Sequence, residues 1–392
     1  MTILRTLSTR RLLVLLTAAA VTAAAAGAVA VTAFGSATVA PSANPPLPQA
    51  VHDALAAPRP DGLTARIRFT NNLLPSGGLI GNAGSALVTG ASGRLWITGD
   101  GRARLELQSD AGDVQIVWDP PSLTAYDSSS NTVYRATLPR DAGAAPSTAG
   151  ASGPPSLAEV TDLLNRLGAD VSLSEATPTV VAGRPAYSMT LSPKRDGGLL
   201  SSAELAWDAV RGVPLRAAIL AQGSSAPALQ LEATDISYGA VPASDVVLSP
   251  PSDAKVVDLG SIGKPSSSEA APVTGLAAVQ AAAGFLVAAP DTLAGLTRST
   301  VRLAGPPDSH TVLVVYGQGL GALVVVERAA DAEASNGGVF SKLPSVSIAG
   351  VTAHELSTQL GTILAWRGAG VDFVIAGSVS PAVAEAAARQ LQ

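Results

Sequence analysis

Between Gly93 and Arg135 the chain reads as a run of short strands, each ended by its own turn, and no other stretch limits the fold as much. Ala103, Leu105 and Leu107 alternate with Arg104 and Glu106, the period of two of a half-buried strand. After a turn at 110–113, Val114, Ile116 and Trp118 alternate with Gln115. Asp119-Pro120-Pro121 makes the next break, because proline donates nothing to a ladder and fixes its own φ. Strands over 122–127 and 132–138 flank a Ser/Asn turn at 128–131. Tight turns between successive strands require antiparallel neighbours, since a parallel pair needs a long crossover. The stretch is a β-meander.

A second strand run extends from 169 to 237, with turns at Gly183, 195–198, 208–212 and 223–225. Between the runs, Ser156 and Glu159 have the spacing of a capping box, and Leu157, Val160, Leu163, Leu164 and Leu167 share a helical face that Gly168 ends. A shorter helix is expected over 49–57 and an opening strand over 63–70. The fold class is mainly β (α+β), with one large antiparallel sheet curled over a covering helix or into a half-open β-barrel. Loop 71–85 is glycine-rich yet carries Leu73, Leu74, Leu79 and Ile80. It either packs these four on the core or forms a lid over a cavity.

The 392 residues also divide by composition. Segment 1–40 places Arg5, Arg10 and Arg11 before an apolar stretch, Leu12 to Phe34, long enough to span a bilayer. Positive residues first imply an exported chain. It is then either held at the extracytoplasmic face of the membrane as a transmembrane helix or, with a signal peptide cleaved near residue 40, secreted. A spacer (41–48) leads to the main domain (49–257), which holds a low-complexity insert at 139–155. A Ser/Pro/Gly linker (258–275) precedes a small C-terminal α+β domain (276–392), whose last helix opens at Ser380-Pro381.

The segments GRLWITGDGRARLELQSDAGDVQIVWD…YDSSSNTVYR (93–135), GRPAYSMTLSPK (183–194), AELAWDAVRGVPLRAAILAQ (203–222) and LEATDISYGAVPASDVVLSPPSDAKV (231–256) carry a resemblance. Over about 49–257 the chain resembles the outer-membrane lipoprotein carrier (LolA-like) and MucB/RseB superfamily, in its exported Gram-positive, high-GC form. The resemblance implies a half-open antiparallel barrel with helices in its mouth and an apolar cavity for acyl chains. Lipid-carrying members normally bear a lipidated cysteine, and this chain has no cysteine.

That absence excludes disulfides, thiolate catalysis and Cys-ligated zinc. A net charge of −5 with no basic run argues against nucleic acid. His354-Glu355 begins a zincin-like pair, but the second ligand position is Thr358. Gly317, Gly319 and Gly321 lie between two apolar strands, the place of a hairpin turn rather than a dinucleotide loop. No catalytic centre, metal site or cofactor is expected, so the chain is read as a non-enzyme. Two functions remain. One is a carrier of lipid or lipoprotein acyl chains, in which Leu105, Leu107, Val114, Ile116 and Trp118 line the cavity or simply form core. The other is an RseB-like envelope sensor that binds a membrane-bound regulatory protein through the same fold, with a structural module as a third possibility.

The two linkers lack the apolar periodicity that would offset the entropy of ordering them. Limited proteolysis should therefore cut first within 139–155 and 258–275 and leave a fragment beginning near 276. Equal resistance of both segments to that of the strands would contradict the division.

Overall fold

A computed structural model describes residues 41, 44–73, 86–110, 112–138, 155–195, 197–261, 273–305, 310–330 and 339–392. The segment read as signal or anchor lies outside them, as do most of both linkers. No helix among the described residues is long and apolar enough to cross a membrane.

The chain is mainly β, as its patterning requires, with a curled antiparallel half-barrel sheet and a second, smaller one. The first sheet holds β1 (Gly62–Asn71), β2 (Ala91–Thr98), β3 (Ala103–Ser109), β4 (Gly112–Asp119), β5 (Ser122–Asp127) and β6 (Thr132–Thr137) from the first run. The second run supplies β7 (Val171–Leu173), β8 (Thr177–Val181), β9 (Arg184–Pro193), β10 (Leu200–Asp208), β11 (Pro214–Ala221) and β12 (Pro227–Tyr238), and β13 (Lys255–Ser261) follows it. Spatial order is β13-β6-β5-β4-β3-β2-β1-β12-β11-β10-β9-β7, with β8 also on β9. The first run is a meander, as are β8 to β12 of the second, and β1 and β12 join them. Bulges at Arg66/Ile67, Ala206/Trp207 and Ile219/Leu220 add the local bend and twist that let so wide a sheet curl.

Turn chemistry explains where the strands stop. Between β2 and β3, Asp100 accepts from the Thr98 hydroxyl and from Arg102 Nε at 3.0 Å, and Gly101 takes φ +88°. These hydrogen bonds, that of Arg102 foremost, hold the Asp100 carboxyl at about 2. Between β5 and β6, Asp127 Oδ1 accepts from the Ser129 amide at 2.9 Å and Asn131 takes φ 44°. One pairing departs from the antiparallel expectation: β13 runs parallel to β6, Asp258 opposite Arg135. The chain reaches that edge by passing outside β2 and β3, where Arg104 donates to the Val247 carbonyl at 2.9 Å.

Helices α1 (Leu47–Ala56), α2 (Ala86–Thr89) and α3 (Leu157–Leu167) belong to this unit. The capping box forms: the Glu159 amide donates to Ser156 Oγ at 3.3 Å and the Ser156 amide to Glu159 Oε2 at 2.7 Å. Helices α1 and α3 touch, and Leu47, Ala50 and Leu164 pack with Met189, Leu205 and Trp207 of β9 and β10. Of the leucine face of α3, only Val160 is fully buried. Leu157, Leu163 and Leu167 remain 40–45 % exposed, because the helix meets the rest of the unit through one side of its stripe.

The second sheet contains β14 (Thr292–Leu293), β15 (Leu296–Ala304), β16 (Thr311–Tyr316), β17 (Leu323–Ala329), β18 (Ser345–Ile348), β19 (Val351–Thr358), β20 (Gly361–Gly368) and β21 (Val371–Gly377). Its order is β14-β15-β16-β17-β21-β20-β19-β18. Helices α4 (Leu276–Ala283) and α5 (Pro381–Gln390) share its core through Val279, Ala283, Ala384, Ala387 and Ala388. The Gly317–Gly321 stretch is the β16–β17 connection, as expected of a hairpin turn. His354 and Glu355 are strand residues of β19. The two units touch where the Leu199 amide donates to Ser378 Oγ at 2.9 Å, and where the Gln359 amide donates to the Leu73 carbonyl at 3.0 Å.

Gly93 is a point where only glycine fits. A Cβ there would lie 1.8 Å from the Glu106 carbonyl oxygen of the neighbouring strand. Gly93→Ala must push β2 from β3 and should cost about 1–3 kcal/mol, the range of overpacking. A urea midpoint unchanged from wild type would contradict this packing.

Candidate functional site

Strand register arranges the inner face of the first meander in rows. One row runs from Leu63 through Ile97, Ala103 and Trp118 to Leu123. The next comprises Ala65, Leu95, Leu105, Ile116, Ala125 and Tyr134. A third comprises Ile67, Gly93, Leu107 and Val114. The five residues singled out in the sequence therefore meet on one face: Leu105 lies opposite Ile116, and Leu107 opposite Val114, while Trp118 lies opposite Ala103.

Their burial differs by row. Leu107 and Val114 are 2 % and 1 % exposed, and Trp118 is 7 % exposed. Leu105, Ile116, Leu95, Ala125 and Tyr134 of the middle row are only half-buried. Ala65, at the β1 end of this row, is 3 % exposed, so the apolar strip is part-open only from β2 onward, beside rows whose side chains are buried except at Leu123. Helix α2 contributes to the closure: Ala86 is fully buried in this core and the helix touches β1, β3 and β4. Gly93 leaves a side-chain gap in the third row, between Ile67 and Leu107.

The same face continues past the seam between the runs, from Phe69 to Leu231, Ala217, Leu205 and Met189. Helices α1 and α3 cover its far end. A half-barrel with helices on its inner face therefore has a covered end and a part-open end. The half-exposed leucines of α3 were legible as one stripe in the sequence, but not that the stripe would stay uncovered.

Of the residues read as a lid, Leu73 lies just past the end of β1, half-buried, its amide donating to Asn71 Oδ1 at 3.0 Å. Leu74, Leu79 and Ile80 lie outside the described residues.

Polar features sit elsewhere. On the opposite face a groove of about 460 Å³ is lined by Arg104, Gln115, Ser244, Val247 and Ser249. Its guanidinium is already engaged, with Glu106, with Gln115 at 3.1 Å and with the ring of Trp96, 5.7 Å away. That arginine is a strut between sheet and crossover, and sequence periodicity gave no sign of it. Asp208, 3 % exposed, accepts from Tyr238 Oη at 2.7 Å and from the amides of Val210 and Arg211, which closes a turn. Burial, then the nearby Asp208, pushes the Tyr238 phenol far up. Neither feature sets a nucleophile beside a base.

No protein-family model matches the chain, and no curated protein does. Among solved structures it is similar to MucB in complex with MucA(peri), at 15 % identity over 88 % of this chain and 96 % of that one, with a TM-score of 0.39. It is similar to a chain of the Pseudomonas aeruginosa MucA/MucB complex, at 18 % identity, 87 % and 94 % coverage and a TM-score of 0.41. An uncharacterized conserved protein from Thermus thermophilus covers 54 % of this chain with 95 % of its own, at 12 % identity and a TM-score of 0.31. At this level of similarity, residues and ligand rest on the geometry of the chain itself.

Row position sets what truncation costs. Trp118→Ala should cost about 3–5 kcal/mol, as for a packed aromatic. Leu105→Ala, which empties a site already half open, should cost less than about 2 kcal/mol. Urea denaturation of both variants checks the order; equal losses would mean the middle row is as closed as its neighbours.

Proposed function

We propose that this chain is an exported, non-enzymatic carrier that binds an acyl chain of a lipid or lipoprotein along the inner face of its half-barrel. The observation that carries this reading is the half-buried part of the middle row from β2 onward, Leu95, Leu105, Ile116, Ala125 and Tyr134, beside the buried Ile97, Ala103 and Trp118 on one side and Leu107 and Val114 on the other. An extended hydrocarbon laid along such a strip replaces water with apolar contact and gains about 0.8 kcal/mol per buried CH₂. Only Tyr134 brings a polar group to this row, so recognition would be of length and shape, with a headgroup left at an end. Export is read from Arg5, Arg10 and Arg11 ahead of the apolar stretch.

A second reading, a regulator that binds a membrane-bound protein, is favoured by the grip of the second unit on the first. The Gln359 amide holds the Leu73 carbonyl just beyond β1 and so links that unit to the end of a strand of the half-barrel. A pull-down that recovers a membrane-spanning partner in stable complex would favour it.

The carrier reading is tested by organic extraction of the purified protein and mass spectrometry. Copurified lipid, lost in Leu105→Trp or Ile116→Trp variants that fill the middle row, is the expected result. Extracts holding only solvent and buffer components, together with no uptake of a fluorescent fatty acid, would overturn it.

A further inference from the structure

The core of the second unit contains an acid that no part of the proposed function uses. Glu327 of β17 is fully buried, its row neighbours being Val312 and Phe373. Oε2 accepts from the Ala288 amide at 2.8 Å, while Oε1 has no hydrogen-bond partner among the described residues. The Tyr316 hydroxyl, on the same sheet face, is buried and likewise without a partner among them. An ionised carboxylate can take up about four hydrogen bonds, and one N–H is far from enough to keep it charged in an apolar core.

The Ala288 amide belongs to segment 284–291, which links α4 to β14. Three side chains from three elements hold this segment. Gln280 of α4 donates to the Phe285 carbonyl at 2.8 Å and accepts from the Val287 amide at 2.9 Å. Arg298 of β15 donates to the Ala289 carbonyl and pairs with Asp291 at 2.7 Å. Glu327 makes the third attachment, and it is the buried ionisable one. Between these points Leu286 is 81 % exposed, more than any other large apolar residue among those described.

We propose that Glu327 is a proton-operated latch on segment 284–291: the neutral acid keeps the segment seated, and ionisation releases it with Leu286. The neutral acid accepts the Ala288 N–H without placing charge in the core. The carboxylate gains water only if the segment lifts. Burial pushes the Glu327 carboxyl up to about 7, against the pull of the Ala288 hydrogen bond. Because the folded value lies above the ordinary 4.5, the stabilisation is complete below about 4.5 and is lost as pH rises through about 7. The surrounding groups do not neutralise the charge. Tyr316 of β16 is itself held up at about 12 by burial, and Arg298 is engaged with Asp291. Helix α4 brings Gln280 and no charge, and Glu385 and Arg389 of α5 pair with each other at 2.8 Å. Among the described residues no arginine, lysine or histidine pairs with Glu327.

The test is hydrogen–deuterium exchange of the full chain at pH 6, 7 and 8, with rates corrected for intrinsic exchange. Protection over 284–291 should fall about tenfold from pH 6 to pH 8 in wild type, the change expected of one group titrating near 7. Glu327→Gln keeps an oxygen for the Ala288 amide and should show no such fall. Equal slopes in the two proteins, or flat protection in wild type, would overturn the latch. If the variant fails to fold, the carboxyl carbon of Glu327 followed by NMR in wild type decides: a midpoint near 7 supports the latch and one below 5 overturns it.

Discussion

The first sheet depends on the ladder between β1 and β12. Among the described residues it is the one pairing that joins the two strand runs through antiparallel hydrogen bonds, and its partners come from opposite ends of the unit. Every other antiparallel pair in that sheet is made within one run. Without this seam there would be two separate meanders, each with an apolar face and nothing to curl against. The bulge between Arg66 and Ile67 lies in the same ladder, so the joint is also a place where the sheet bends. Because the loop closed by this pairing is long, it is the contact whose entropic cost is greatest and whose formation is expected to be slow.

What the sequence showed and hid follows from the range of the interactions. Alternation at 103–107 and 114–118 is local, and it placed Leu105, Leu107, Val114, Ile116 and Trp118 on common faces. The Ser156–Glu159 box is likewise local, and it forms. The seam between β1 and β12 has no local signature, nor has the parallel return of β13 onto β6. The difference in burial between Leu105 and Leu107 depends on what lies above each, which period-two patterning does not encode. Glu327 shows the same limit: directly after the apolar run 322–326 it looks like the polar end of a strand, yet it is enclosed because segment 284–291 crosses over it.

The two units use burial differently. The second closes its core with small helical residues, Ala384, Ala387 and Ala388 among them, which let α5 approach the sheet closely. The first leaves apolar surface uncovered both on its middle row and along α3. Under the carrier proposal, this surface is what a bound acyl chain would cover.

The four tryptophans provide a direct test. Trp118 flanks the middle row, Trp96 lies on the opposite face between Arg94 and Arg104, Trp207 packs beneath α1, and Trp366 stacks on Phe373 in the second unit. Titration with a fatty acid brominated along its chain should quench the fluorescence of the wild-type protein, and most of that quenching should vanish in Trp118→Phe. Quenching that persists unchanged in Trp118→Phe, or none at all in wild type, would contradict an acyl chain on the inner face.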